Sequence, residues 1–271
     1  ALGLRAGGRS GRGPAVGAGA AVAAAAAVLL VLSRPDGRLH VTVLDTGASA
    51  ATLVRTGDGA TALVDGGSDP LRLAAALDRA LPPLTRSLDL VVLTGGDRTS
   101  VGGLAGLSAG YRVDTLVVPA AALGAGASAI VEEMRAAGAV VVQAPPGRPW
   151  TWHATGWRLL LGPPPDTGPP VGALQVAGAG GVALILGALA PPGQEEVAAA
   201  EGTSLRSDLV VTPARGGIAP ALLEAARPRL LAVPSARAPR APVDAPGVSV
   251  RSTALDGSLE YAGGASGLEP A

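Results

Sequence analysis

The run Leu88-Asp-Leu-Val-Val-Leu-Thr94 is apolar on both of its alternating faces except at Asp89, so neither face suits water. Such a strand belongs inside a sheet covered on both sides, the environment that parallel connections through helices create. The flanking pattern agrees. After a polar turn, Val101 to Leu107 reads as a short helix capped by Ser100, Asp114 to Val118 as a strand, and Ala127 to Ala137 as a helix stopped by Gly138. Upstream, Leu39 to Asp45, Ala51 to Thr56 and Ala60 to Asp65 form a meander turning at Gly57-Asp58-Gly59. A helix from Leu71 to Leu81 follows and ends at Pro82-Pro83.

The same order then returns. Val140 to Val142 and Trp157 to Leu161 read as strands, followed by a Pro-rich loop from Gly162 to Pro170. Leu174 to Ala177 and Val182 to Leu186 make a second meander. Helices at Glu195 to Glu201 and Ile218 to Ala226 alternate with strands at Asp208 to Thr212 and Leu230 to Val233. Val248 to Arg251 and Ser258 to Tyr261 suggest a closing hairpin, and residues 262–271 a Gly-rich, flexible tail. Meander, βα units, meander, βα units is a pseudo-duplicated order, and it predicts an α/β fold with a four-layer αββα sandwich over residues 38–261.

With 271 residues, 48% of them hydrophobic and 15% charged, the chain can bury a sizeable core. That core must be aliphatic, since Phe is absent and aromatics make up 2%. Zero formal net charge removes any global attraction to polyanions, leaving only a local candidate in Arg227, Arg229, Arg237 and Arg240, which reads first as a solvated loop. No cysteine means no disulfide, thiolate ligand or Cys nucleophile. Only His40 and His153 offer imidazole, too few for an ordinary hydrolytic zinc site.

Residues 1–13 form a basic leader with Arg5, Arg9 and Arg12, and residues 14–33 carry no charge. Those twenty residues, at ~1.5 Å each, would reach across ~30 Å of hydrocarbon, so a transmembrane helix is the leading expectation. A signal segment and an Ala/Gly leader are the competing readings. The slight excess of arginine on the amino side favours a cytoplasmic amino end, so the domain is expected on the extracytoplasmic side of a bacterial cell membrane. The start at Ala1 without Met is what the carboxyl portion of a longer polypeptide would show.

Five segments carry a resemblance: Leu39 to Gly47, Leu63-Val-Asp-Gly-Gly67, Leu88 to Thr94, Val101-Gly-Gly-Leu104 and Tyr111 to Leu116. Together they resemble the metallo-β-lactamase-like domain of the ComEC family of DNA-uptake proteins, which follows a membrane-spanning region. In that family the turn after the fourth strand reads Thr-His-x-His-x-Asp-His-x-Gly-Gly and holds zinc or manganese. Here Gly95, Asp97, Thr99 and Ser100 stand where His, His, Asp and His would. Asp45 and Gly47 match the family's first loop, but its last Asp is replaced by Ala50. Leu186-Gly187-Ala188 stands where a metal-bridging Thr-Gly-Asp is expected, and Ala214-Arg215-Gly216-Gly217 where His-His-Gly-Ser is. Arg215 would set a fixed positive charge where a dication belongs.

The resemblance therefore implies the fold together with a vestigial pocket at Asp45, Asp65, Gly95, Asp97, Thr99, Ser100, Ala188 and Arg215. It predicts no metal, no small-molecule cofactor and no catalysis. The expected partners are the membrane, single-stranded DNA and a channel region of the same polypeptide. Two alternatives stay open: a hydrolase or nuclease with a site rebuilt from Asp45, Asp65, Asp97 and Asp208, and a membrane-anchored interaction module unrelated to DNA. On residue chemistry, Asp97 reads as a turn residue and Asp65 and Asp45 as structural carboxylates. Gly47-Ala-Ser49 lacks the frame of a nucleophile elbow, and the absence of Lys excludes a P-loop. Trp150, Trp152 and Trp157 bracket His153 and read as a satellite core, with a nucleic-acid stacking platform as the second reading.

Overall fold

The computed structural model describes residues 34–47, 49–162, 171–213, 217–237, 245 and 247–271. The basic leader, the apolar run 14–33, Arg215 and Arg240 lie outside the described residues. The chain parts into two compact units, Ala1–Pro35 and Asp36–Ala271, and the described fold belongs almost wholly to the second. Among the described residues no helix is long and apolar enough to cross a membrane.

The first half forms β1 (His40–Val43), β2 (Thr52–Arg55), β3 (Thr61–Val64), α1 (Pro70–Ala80) and β4 (Ser87–Val92). It continues through α2 (Arg98–Val101), β5 (Arg112–Pro119), α3 (Ala125–Ala136) and β6 (Val140–Ala144). The second half forms β7 (Pro149–Trp152), β8 (Thr155–Leu161), β9 (Gly172–Gly178), β10 (Gly181–Ile185), α4 (Pro191–Glu201) and β11 (Leu209–Val211). It closes with α5 (Pro220–Ala226), β12 (Leu230–Val233), β13 (Ser249–Ser252), α6 (Thr253–Asp256), β14 (Leu259–Gly264) and β15 (Gly267–Pro270).

Two sheets result, ordered β15-β14-β1-β2-β3-β4-β5-β6 and β13-β12-β11-β10-β9-β8-β7. Each has an antiparallel meander joined to a parallel part, from β3 to β6 in one and from β10 to β13 in the other. Three apolar clusters separate four layers. Between the sheets lie Val41, Val64, Leu90, Leu159, Val176, Ile185 and Val211. Leu63 and Val91, one residue out of phase with that set, face outward against Leu73 and Leu77 of α1 and Ile130 and Met134 of α3. Leu184 and Val210 likewise pack on Val197 of α4 and Leu222 of α5. Each fully buried aliphatic side chain contributes about 1.5–3 kcal/mol, so the strict two-residue alternation fixes the register of every central strand.

Three local expectations are corrected. Asp97, not Ser100, caps α2, because its carboxylate accepts the Thr99 and Ser100 amides while Ser100 lies within the first turn. The closing hairpin does not form: β13 runs parallel to β12 in the second sheet, whereas β14 pairs with β1 in the first. Leu259 and Tyr261 explain the switch, since both are 0% exposed and belong to the core between the sheets.

The Gly-rich end is not a loose tail either. β14 and β15 pair from Tyr261 to Pro270 and form the edge of the first sheet. Its glycines permit contact with the β9–β10 turn of the other sheet, where the Gly264 amide donates to the Gly180 carbonyl at 3.2 Å and the Leu39 amide to the Ala179 carbonyl at 3.0 Å. A Cβ on Gly263 would stand 2.2 Å from the Ala179 oxygen. Gly263→Ala is therefore expected to lower unfolding free energy by about 1–3 kcal/mol in urea titration. Gly110→Ala, where the new methyl group meets nothing within 4 Å, should stay within about 0.5 kcal/mol.

Candidate functional site

The carboxyl ends of β3, β4 and β10 meet at one edge of the sandwich, and Asp45 reaches the same edge from the end of β1. Asp65 leaves β3 with φ 55° and is 1% exposed. Its Oδ1 accepts the Thr94 amide at 2.9 Å and its Oδ2 the Thr94 hydroxyl at 2.5 Å. Burial pushes the Asp65 carboxyl up to about 7, the two Thr94 hydrogen bonds act in the opposite sense, and the Asp97 charge adds to the rise.

The glycines bring the two loops into backbone contact. The Gly66 amide donates to the Ser100 carbonyl at 2.6 Å and the Gly103 amide to the Gly67 carbonyl at 2.7 Å. A Cβ at Gly103 would lie 2.0 Å from the Gly66 oxygen. From the facing sheet, Gly187 (φ 53°) closes on Thr94, since a Cβ there would lie 2.2 Å from the threonine Oγ1. Ser49, fully buried, bonds Ser68 and closes the first loop over Gly67.

Asp97 is equally committed. It accepts the Thr99 amide at 2.8 Å, the Ser100 amide at 3.2 Å and the Ser100 hydroxyl at 2.7 Å, and it also takes the Thr99 hydroxyl. Asp45 accepts the Gly47 amide at 3.3 Å, while its own amide donates to Ser258. Gly95 is buried, and half-buried Ala188 follows Gly187 with a methyl group. The structure thus seats Asp65 on Thr94, with Gly95 buried next to it, and gathers Asp97, Thr99 and Ser100 in the turn that follows. Thr94 is the partner that sequence reading missed, although its place at the end of the apolar strand marked it.

The remaining donors sit elsewhere. His40 opens β1 at the end opposite Asp45 and pairs with Asp36 at 2.9 Å. His153, in the β7–β8 turn, meets Asp58 at 2.7 Å, and Asp58 lies in the β2–β3 turn, opposite the end of β3 that carries Asp65. The hydrogen bonds from Thr56 and His153 hold the Asp58 carboxyl below its usual range. Asp208 accepts the Val182 amide at the start of β10, away from Gly187. A site rebuilt from Asp45, Asp65, Asp97 and Asp208 is therefore not assembled by this fold. Among the described residues no three His, Asp or Glu side chains gather closely enough to hold a metal ion. The donor set at this edge does not fit zinc or manganese, because its carboxylate lone pairs serve amides and hydroxyls and its other positions offer hydrogen, methyl or alcohol.

No protein-family model matches the chain, and no curated protein sequence is significantly similar to it. Among solved structures it is similar to the metallo-β-lactamase fold protein YhfI from Bacillus subtilis, with 16% identity, a TM-score of 0.51, and coverage of 72% of this chain and 85% of that one. It also aligns with CmlA, a diiron β-hydroxylase from Streptomyces venezuelae, at 15% identity and TM-score 0.48 over 73% of this chain and 45% of that one. A Cronobacter sakazakii metallo-β-lactamase with a HARLDQ motif gives 19% identity and TM-score 0.45 over 63% and 76%. The sheet order, the four layers and the likeness to YhfI define the class: this chain has the metallo-β-lactamase fold.

The buried Asp65 makes the site a pH reporter. Its folded-state pKa, about 7, exceeds the unfolded value of 3.8, so the native chain keeps a proton that the unfolded chain releases. The resulting stabilisation is complete below the unfolded value and is lost as pH rises through the folded one. Asp65→Asn tolerates the positive φ and removes the titration. The stability of the wild type relative to this variant is expected to fall between pH 4 and 7, by at most about 4 kcal/mol, in paired urea melts. A flat difference across that range would place the carboxyl in its ordinary range.

Proposed function

We propose that this chain is a catalytically silent metallo-β-lactamase-like domain of a ComEC-type membrane protein and serves DNA uptake during natural competence. The observation that carries the silence is the state of Asp65 and Asp97. Asp65 directs its oxygens to Thr94 of the neighbouring loop and Asp97 directs its own to Thr99 and Ser100, and the flanking positions Gly95, Thr99, Ser100 and Ala188 supply no imidazole or carboxylate. Metal-assisted hydrolysis needs an ion to acidify water and polarise the scissile bond, and these residues are arranged to hold the fold instead. The attachment to a membrane rests on the apolar run 14–33, and the role in competence rests on the sequence resemblance.

A local charge excess supports contact with DNA despite zero formal net charge. Arg206, Arg227 and Arg229 line one surface recess in which Asp208 is the sole acidic residue among the described lining, 3.4 Å from the Arg229 guanidinium. Three guanidiniums against one carboxylate suit a phosphate backbone more than a small neutral substrate.

Elemental analysis of the full chain after equilibration with zinc and manganese is expected to find well below one equivalent of either, with no cleavage of single-stranded DNA when manganese is added. Stoichiometric, tightly held metal would restore the hydrolase reading. Binding to single-stranded DNA should weaken with salt, and Arg206→Ala and Arg227→Ala should each lower the logarithmic salt slope by roughly one. Absent or salt-independent binding would leave an interaction module unrelated to DNA.

A further inference from the structure

The two sheets do not seal against each other at the β6 and β7 edge. Each of these strands is the last of its sheet, and Pro145, Pro146, Gly147 and Arg148 connect them. Between them opens a cavity of about 360 Å³. One wall is Leu90, Val117 and Val142 from the first sheet, and the other is Trp150 and Trp152 from the second. Leu90 and Val117 also belong to the core between the sheets, so the cavity is an outward extension of that core. Its position, on the lateral edge, is distinct from the Asp65–Thr94 loop edge.

The tryptophan wall is built in advance. Trp157 is 1% exposed and stands between its neighbours, with Trp150 stacked on it at 6.4 Å and 17° and Trp152 edge-on at 5.8 Å and 72°. Two indoles packed on buried Trp157 have little rotamer freedom to lose on binding, which favours a ligand over collapse of the space. Val142, 44% exposed, continues the apolar surface to the mouth. Thr115, Gln143 and Thr151 add a few polar groups, and Arg148 brings the one charge among the described lining residues. Its guanidinium makes no ion pair among the described residues.

We infer that this cavity is a binding site for a small organic acid, with a flat or chain-like apolar body between the tryptophan wall and Leu90–Val117 and its single anionic group on Arg148. The volume lies in the range of small-molecule sites, and an apolar lining with a few convergent polar groups is their common make-up. A carboxylate or sulfonate answers the Arg148 guanidinium, which has no ion-pair partner among the described residues, whereas a cation or a fully neutral ligand would not.

The three tryptophans of the chain all stand at this corner, so intrinsic fluorescence reports on it directly. The probe is anilinonaphthalene sulfonate, titrated into the full chain, with uncharged N-phenylnaphthylamine in parallel. One saturable site per chain is expected, with energy transfer quenching tryptophan emission. Arg148→Ala, an exposed substitution, should weaken the sulfonate about tenfold and leave the uncharged probe unchanged. Thr115→Phe, which fills the cavity, should weaken both. Near-UV circular dichroism and a urea midpoint equal to wild type establish that Arg148→Ala is folded.

Absence of saturable binding overturns the inference, as does equal sulfonate affinity in Arg148→Ala or in Thr115→Phe. Displacement of the probe by oligothymidylate would also overturn it, assigning the tryptophans to nucleic-acid stacking. Displacement on concentrating the protein would do the same in favour of a second copy of the chain.

Discussion

The backbone contact between the loop after β3 and the start of α2 is the joint on which the loop edge depends. Gly66 and Gly67 lie against Ser100 and Gly103 with two amide-to-carbonyl hydrogen bonds and no room for a Cβ on Gly103. That approach turns Asp65 inward at a positive φ, buries it, and leaves Thr94 as its partner. A buried carboxyl without such a partner would be costlier still to ionise, so the Asp65–Thr94 pair and the glycine joint support each other.

The same joint sets how the side chains at this edge are used. In this fold the loop edge is where strand ends converge from both sheets, and convergence is useful for chemistry only if the convergent groups have free electron pairs. Here they converge to close the sandwich. Asp97 caps α2 through Oδ2 and takes the Ser100 hydroxyl on Oδ1, Asp65 ties two adjacent strands, and Gly187 from the second sheet presses on Thr94. The carboxylates at this edge accept hydrogen bonds from amides and hydroxyls of the adjoining loops. Away from this edge, recesses open among others at the lateral slot beside Trp150 and Trp152 and at the arginine-lined surface around Asp208.

Much of the architecture was legible because burial on both faces leaves a strong trace. The near-continuous apolar runs at β4 and β5, the glycine-punctuated meander from β1 to β3 and the repeated order in the second half led to the four layers. The misread parts share one cause: their sequence looks the same in loose and in packed chain. β14 and β15 are glycine-rich because the β9–β10 turn approaches them at van der Waals distance, and the identical composition would suit a frayed end. β7 was not recognised as a strand, since Pro149-Trp-Thr-Trp152 is an edge strand with only two residues turned inward. The helix cap was placed three residues late because Ser100 and Asp97 are both good capping residues, and the choice between them depends on where the preceding strand releases the chain.

By itself the sequence determined the layer order, the largely aliphatic core and the absence of imidazole from residues 94–104, all of which are local matters of side-chain type and period. Only the tertiary structure decided which sheet β13 and β14 each join, that Asp208 stands away from Asp65, and that the tryptophans wall a cavity instead of filling it. Those outcomes depend on contacts between residues tens to hundreds of positions apart, whose energies belong to the packed arrangement and leave no period in the chain.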